Sequence, residues 1–369
     1  MFSKIKIKFF LLLIILLLTF DEANASCVDG EVNYTKESLT ASNDCTAIFV
    51  QDKEEKTITI NSGITVTDFG GKKPLNINKG SAGTTVINNG SLIETRSTTV
   101  ILVGRNSTVE LFENNGTISG SKGIKMVNRT GAGANWGHIK VFTNTGTLKQ
   151  TRDIPDPQDD NAAIWVNVWG KITELNNSGS IRSSWQTINN FGIIENFNNT
   201  GTISTDRDDD GTVDNGKAIV NARDTETPAS WYADQSFDKR KIGTLTNSGT
   251  IEATVNTIHN TGLIETINNS GNITATGNRA IYNKNENDGR NFGEIDTLIN
   301  SGTISAGNQG IHNTGTITTI INTGTILSTG SGYSIKNEGI ITNLTNSQGC
   351  LLYTSDAADD MQCVDLGGR

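Results

Sequence analysis

The stretch Asn256-Thr-Ile-His-Asn-Thr-Gly-Leu-Ile-Glu-Thr-Ile-Asn-Asn-Ser-Gly-Asn-Ile-Thr-Ala-Thr-Gly-Asn278 decides the fold. Ile258, Asn260, Gly262 and Ile264 stand two residues apart. Ile267, Asn269, Gly271 and Ile273 repeat that alternation after a step of three. A period of two puts these positions on one face of extended chain, and the step of three predicts a corner between strands. Ile suits a strand, and Gly suits a bend where a Cβ would clash. Two or three short strands in 22 residues cannot bury a face alone. Stacked at about 4.8 Å, such units bury a continuous column of Ile and bond to the units above and below. Asn at equivalent positions then forms amide ladders. The stretch predicts one turn of a parallel β-helix, an all-β solenoid.

Working outward, the box Asn-x-Gly-x-(Ile/Leu) recurs from Asn88, Asn114, Asn144, Asn177, Asn199, Asn247, Asn269, Asn300 and Asn322, with a decayed tenth copy at Asn346. A sister box begins at Asn190, Asn260, Asn313 and Asn337, each nine residues before a main-box Asn. The shortest spacing is 22 residues, and longer ones read as the same unit with insertions. The sequence therefore predicts about ten turns over residues 57–349, behind an N-terminal cap at 26–56. A disordered Asn/Gly/Thr chain would not hold Ile in phase over so long a span. The Leu-dominated pattern of leucine-rich repeats is missing, and a propeller or sandwich needs longer, antiparallel units.

Composition agrees. The 369 residues include 39 glycines, 43 asparagines and only four prolines, which excludes collagen and Pro-rich linkers. A net charge of -9 without a basic stripe argues against nucleic acid as a partner.

The ends read differently. Lys4, Lys6 and Lys8, the apolar run Phe9 to Phe20 and Ala23-Asn24-Ala25 make residues 1–25 a secretory signal, with an uncleaved anchor or lipid attachment at Cys27 as alternatives. Cys350-Leu-Leu-Tyr-Thr-Ser-Asp-Ala-Ala-Asp359 back-translates without mismatch to the transposon-end adapter of sequencing libraries, and Cys363 to Arg369 to the next part of it. Residues 350–369 are therefore expected to be adapter-derived and not native. That leaves Cys27 and Cys45, which in an exported chain predict a disulfide.

Insertions at 128–137, 222–242 and 284–292 follow the first strand of a unit, and those at 149–162 and 205–217 follow the third. In a solenoid they should project from two edges of the rod, where binding concentrates. Trp136, Trp231, Tyr232 and Phe292 are aromatic tips on the first set, and Trp165, Trp169 and Trp185 lie near the array. Such aromatics can stack on sugars, pack on a protein, or simply cover strand edges. In the fifth insertion, Asp206, Asp208, Asp210, Gly211, Thr212 and Asp214 match the start of a calcium loop: three carboxylates, the turn glycine, a carbonyl, and a direct or water-mediated carboxylate. The twelfth position is Lys217 instead of a bidentate Glu, so a solvated acidic loop is the competing reading. Calcium is the only cofactor suggested. His259, Tyr282 and His312 fall at matching positions of three turns, and with no carboxylate in their column they read as an exposed ladder. No Ser-His-Asp or Gly-x-Ser-x-Gly arrangement stands out, so no catalytic residue is nominated.

With these motifs in view, the array resembles the passenger domains of bacterial autotransporters, the type V secretion family. The matching residues are Asn-Ser-Gly-Thr-Ile at 247–251 and 300–304, and Asn-Thr-Gly-Thr-Ile at 199–203, 313–317 and 322–326, behind a signal peptide. The resemblance covers about residues 57–349. It implies a surface-displayed or shed protein, often an adhesin, whose partner is a host-surface glycan or protein. It also implies attachment to the outer membrane through a C-terminal β-barrel, which a truncated frame would lose. The rival expectation is a secreted carbohydrate-active β-helix enzyme.

Overall fold

The computed structural model describes residues 27–51, 55–78, 80–96, 98–126, 137–151, 162–168, 170–206, 216–222, 241–285 and 293–347. Residues 1–25, expected as a secretory signal, and 350–369, expected as adapter-derived, lie outside them. Every regular element among the described residues is a strand, so no described helix is long and apolar enough to cross a membrane. The strands form three parallel sheets of 12, 12 and 11 strands. Successive strands visit the first, second and third sheets in rotation, and each pairs with the strand one turn earlier and one turn later. This is the parallel β-helix that the period of two predicts. Its first and last turns stand eleven strand spacings apart, about 50 Å.

The stretch quoted above supplies one turn: Asn256–Asn260 in the first sheet, Leu263–Asn269 in the second and Asn272–Ala275 in the third. Ile258, Ile264, Ile267 and Ile273 are fully buried and stack on their counterparts in adjacent turns, for example Ile242, Ile264 and Ile295. The core is thus a set of aliphatic columns. Phe112, Phe142 and Phe197 fill one of them early in the rod, where Leu and Ile serve later.

Two expectations about the turn need correction. The step of three is no corner. It falls inside the strand Leu263–Asn269, where Glu265 and Thr266 both face outward and the alternation of burial slips. The corners are the Asn-x-Gly boxes themselves: Asn269 ends one strand, Ser270 and Gly271 turn, and Asn272 starts the next. The physical reason is that Asn points its amide inward at the bend. There Asn269 Nδ2 reaches its own Gly271 oxygen (3.1 Å), the Asn300 Oδ1 of the next turn (2.7 Å) and the Thr303 oxygen (3.3 Å). The corner backbone is satisfied without water.

The turn count is also larger than the boxes show. Twelve strands occupy the second sheet, because Leu39–Ala41 and Lys56–Ile60 pair into it without an Asn box. The segment 26–56, expected as an N-terminal cap, contributes strands to the helix: Asn33–Thr35 and Ile48–Val50 belong to the first sheet. Its closure is as expected. Cys27 and Cys45 form a disulfide, and Asn33 holds Val28 by both its amide and its carbonyl. A loop of this length stabilises by about 3 kcal/mol in the chain-entropy account.

Insertions leave at two corners only. Those starting after Met126, Asn221 and Asn283 lie between the first and second sheets, and those after Gln150 and Ser204 lie between the third and first. The corner between second and third sheets stays at two residues in every turn that carries a main box and a strand beyond it. The first sheet is therefore bordered by insertions along both edges.

Candidate functional site

The outward face of the first sheet is the candidate site. Its central column, read by register, runs Lys125, Trp165, Asn189, Val220, His259, Tyr282, His312 and Lys336. A second column, at the start of the same strands, runs Gln186, Lys217, Asn256, Arg279 and Gln309. Both columns face outward because each strand carries two consecutive inward residues, such as Ala280 and Ile281, which flip the phase between Arg279 and Tyr282. From Thr99–Val103 to Ile335–Asn337 the first-sheet strands contain Lys122, Lys125, Lys217, Arg279 and Lys336 but no Asp or Glu. The second sheet differs: its outward lysines meet carboxylates, as in Lys140–Glu110 and Lys171–Glu195, both at 2.6 Å.

Aromatic contacts run along the column. His259 meets Tyr282 edge-on (centroids 5.3 Å apart), and Tyr282 stacks on His312 (4.9 Å, 15° between planes). The Arg279 guanidinium lies over the Tyr282 ring at 4.3 Å, and the Lys125 ammonium lies over Trp165 at 3.7 Å. Each is a cation–π contact that holds the long side chain in place. Tyr282 thus makes ring contacts with His259, Arg279 and His312 within the protein.

Arg279 Nε donates to His312 Nδ1 at 2.8 Å. An Arg nitrogen only donates, so His312 Nδ1 carries no proton, and Nε2–H donates to Glu338 Oε2, also at 2.8 Å. Lys336 Nζ closes the chain on the other Glu338 oxygen at 2.9 Å. The lysine and the imidazole hold the Glu338 carboxyl down at about 2. Burial pulls His312 below the ordinary imidazole range, and its bond to Glu338 opposes that. His259 is pulled down to about 3, first by burial and then by Lys217, Lys284 and Arg279. The His-Tyr-His row is thus neither exposed throughout nor without a carboxylate: His312 is buried and Glu338 partners it. The sequence reading missed Glu338 because it occupies the variable place of the box Asn337-Glu-Gly339. It missed Arg279, Asn256 and Gln309 because their column appears only once the phase flip is known.

One consequence is a pH response. Burial lowers all three imidazoles, His138 included. A folded pKa below the unfolded value means the unfolded chain binds more protons in between, so stability is complete above about 6.5 and falls as pH drops toward the folded pKa. We expect urea unfolding at pH 4 to show lower stability than at pH 7, and His259→Asn to narrow that gap. An unchanged gap would remove His259 from the account.

The other expected sites fare unevenly. Asp206 is buried, 3.6 Å from Arg182 Nη1, and its backbone N–H donates to Ser204 Oγ. Its carboxylate thus faces a cation of the protein. Lys217 begins the strand Lys217–Asn221. Asp208, Asp210, Gly211, Thr212 and Asp214 lie outside the described residues, as do Trp136, Trp169, Trp231, Tyr232 and Phe292. Among the described residues no group of three or more His, Cys, Asp or Glu side chains could hold a metal. Trp165 sits half-buried in the central column of the first sheet, and Trp185, also half-buried, immediately precedes its strand Gln186–Asn190. Comparison with family models, with curated proteins and with solved structures finds no match to this chain, so its function is argued from the first-sheet face.

Proposed function

We propose that the chain is an exported autotransporter passenger, displayed on a bacterial surface or shed from it, that serves as an adhesive rod for a host-surface glycan or protein. The observation that carries this reading is the asymmetry of the rod. One of three faces is bordered by insertions on both edges, and that face sets aromatic side chains beside lysine and arginine on strands that, from Thr99–Val103 to Ile335–Asn337, contain no Asp or Glu. Rigid scaffolds that carry loops beside one surface present that surface to partners. A stack whose turns contact only their neighbours also suits folding that advances turn by turn after export.

The Glu338–His312–Arg279 chain favours one second reading, a secreted carbohydrate-active β-helix enzyme, since it sets an imidazole between a carboxylate and a guanidinium. One experiment separates the two. The purified chain is applied to an array of host glycans and matrix proteins and, in parallel, incubated with acidic and neutral polysaccharides in a lyase and hydrolase assay. Binding without turnover supports the adhesive rod. Turnover supports the enzyme. A chain that binds nothing and cleaves nothing sinks both.

A further inference from the structure

We propose that Arg279, flanked by Asn256 and Gln309, is a binding seat for a carboxylated sugar. This rests on the reading of the first-sheet face as a binding surface and names what that surface recognises.

Arg279 is held in place but not neutralised. Its Nε is bonded to His312, its plane lies over Tyr282, and His312 is anchored in turn by Glu338 and Lys336. Among the described residues its two terminal nitrogens meet no acceptor. A guanidinium fixed in this way, half-buried and in an acidic protein, presents a planar fork that matches a carboxylate.

Asn256 and Gln309 make an independent case. They are the register partners of Arg279 in the preceding and following turns, so the three residues span about 10 Å. Asn256 is 3% exposed and Gln309 is 7% exposed, yet Asn256 Oδ1 and Gln309 Oε1 have no hydrogen-bond donor. Buried carbonyl oxygens almost always have one. Neither oxygen is open to solvent, so engaging a ligand requires the amide to turn about its last torsion. The cluster therefore offers donors at its centre and needs donors on either side.

A ligand that completes it must carry a planar anion and, close by, hydroxyl groups. A carboxylated sugar has both. Sulfate and phosphate bring charge without donors, and a neutral sugar brings donors without charge. An acidic peptide brings its N–H groups interleaved with carbonyls, which would meet the same acceptor oxygens.

The test is calorimetric titration of the chain with sodium glucuronate, glucose, sodium acetate and sodium sulfate. Glucuronate should bind more tightly than any of the other three, a comparison that needs no variant. Arg279→Lys keeps the charge but loses the fork and should weaken glucuronate about tenfold. Gln309→Leu should weaken glucuronate and leave acetate unchanged. Circular dichroism and melting temperature confirm that each variant is folded. Equal binding of glucuronate and glucose overturns the proposal, as does Arg279→Lys binding like wild type. Sulfate binding as well as glucuronate, with Gln309→Leu without effect, reduces the seat to a charge and also overturns it. Wild type that binds array glycans no better than Arg279→Lys sinks this proposal alone. Wild type that binds glucuronate but nothing on the array sinks the adhesive role and leaves the seat.

Discussion

Gly249→Ala is expected to destabilise the rod by about 3 kcal/mol, the upper end of what overpacking usually does. A Cβ at this position would lie 2.1 Å from the Gly201 carbonyl oxygen, 2.6 Å from the Thr200 carbonyl carbon and 2.7 Å from the Thr200 oxygen. All three are backbone atoms, so no side-chain rotation relieves the contact. The requirement is for close approach and not for an unusual backbone angle, since Gly249 is not among the glycines of positive φ. Relief would need the two turns to part, and they are held there by Gly249 N–H to the Asn199 oxygen (3.2 Å) and Thr250 N–H to the Gly201 oxygen (2.9 Å). The same contact recurs from Gly116 on Gly90 to Gly324 on Gly302, forming a continuous column of glycines along one corner. Most sister-box glycines share it, with a Cβ 2.3 Å from the Gly170 oxygen on Gly192, 2.1 Å from the Gly293 oxygen on Gly315 and 2.1 Å from the Gly315 oxygen on Gly339, but Gly262 does not. A Cβ on Gly262 meets Asn221 Nδ2 at 3.1 Å and nothing else nearer than 3.7 Å, so Gly262→Ala should stay within about 1 kcal/mol of wild type. Because each turn contacts only its neighbours, Gly249→Ala should also split melting into two steps as the stack divides. Equal melting of the two variants would remove close approach as the reason for this column.

This column shows why part of the fold could be read from sequence and part could not. The box repeats as text, so its period and the Ile phase were legible. That the box is the corner was not, because Asn260, Gly262 and Ile264 keep the same parity whether the chain bends or runs straight. Asn221 and Asn283 belong to the sister ladder, with Asn190 bonded to Asn221 and Asn260 to Asn283. They escaped notice because insertions separate them from the glycine that marks the other copies. The first two turns escaped it because Ala41 and Ile60 stand where later turns have Asn. The candidate site was less legible still. The Arg279–His312–Glu338 chain joins residues 33 and 26 positions apart, and only the register between turns brings them within bonding distance.

The main-box ladder leads to the other large effect, Asn199→Leu against Asn88→Leu. Each Asn Nδ2 donates to the Oδ1 of the next turn, from Asn88 to Asn114 (2.7 Å) through Asn177 to Asn199 (2.7 Å) and Asn199 to Asn247 (2.8 Å) as far as Asn346. The orientation is fixed by the backbone, since each Nδ2 also meets a carbonyl, as Asn199 does at Gly201 and Thr250. Such a one-way chain must begin with an acceptor that nothing serves. Asn88 Oδ1 is that atom: it is buried, without a donor, and paired in the turn below with Ile60. Asn88→Leu therefore shortens the ladder by one and hands the same vacancy to Asn114, which leaves the number of unserved acceptors unchanged. Asn199→Leu cuts the ladder in two and adds a second, at Asn247. The two substitutions bury the same side chain at equivalent corners, so their difference contains one unserved acceptor, about 1–3 kcal/mol, together with the acceptor that Asn177 Nδ2 loses and the bond to the Gly201 oxygen. Mutual polarisation along the chain adds to the larger loss. Urea unfolding of the two variants should accordingly rank Asn199→Leu well below Asn88→Leu. Losses of equal size would mean that the ladder acts only as separate Asn-to-backbone bonds, and that its continuity contributes nothing to holding the turns together.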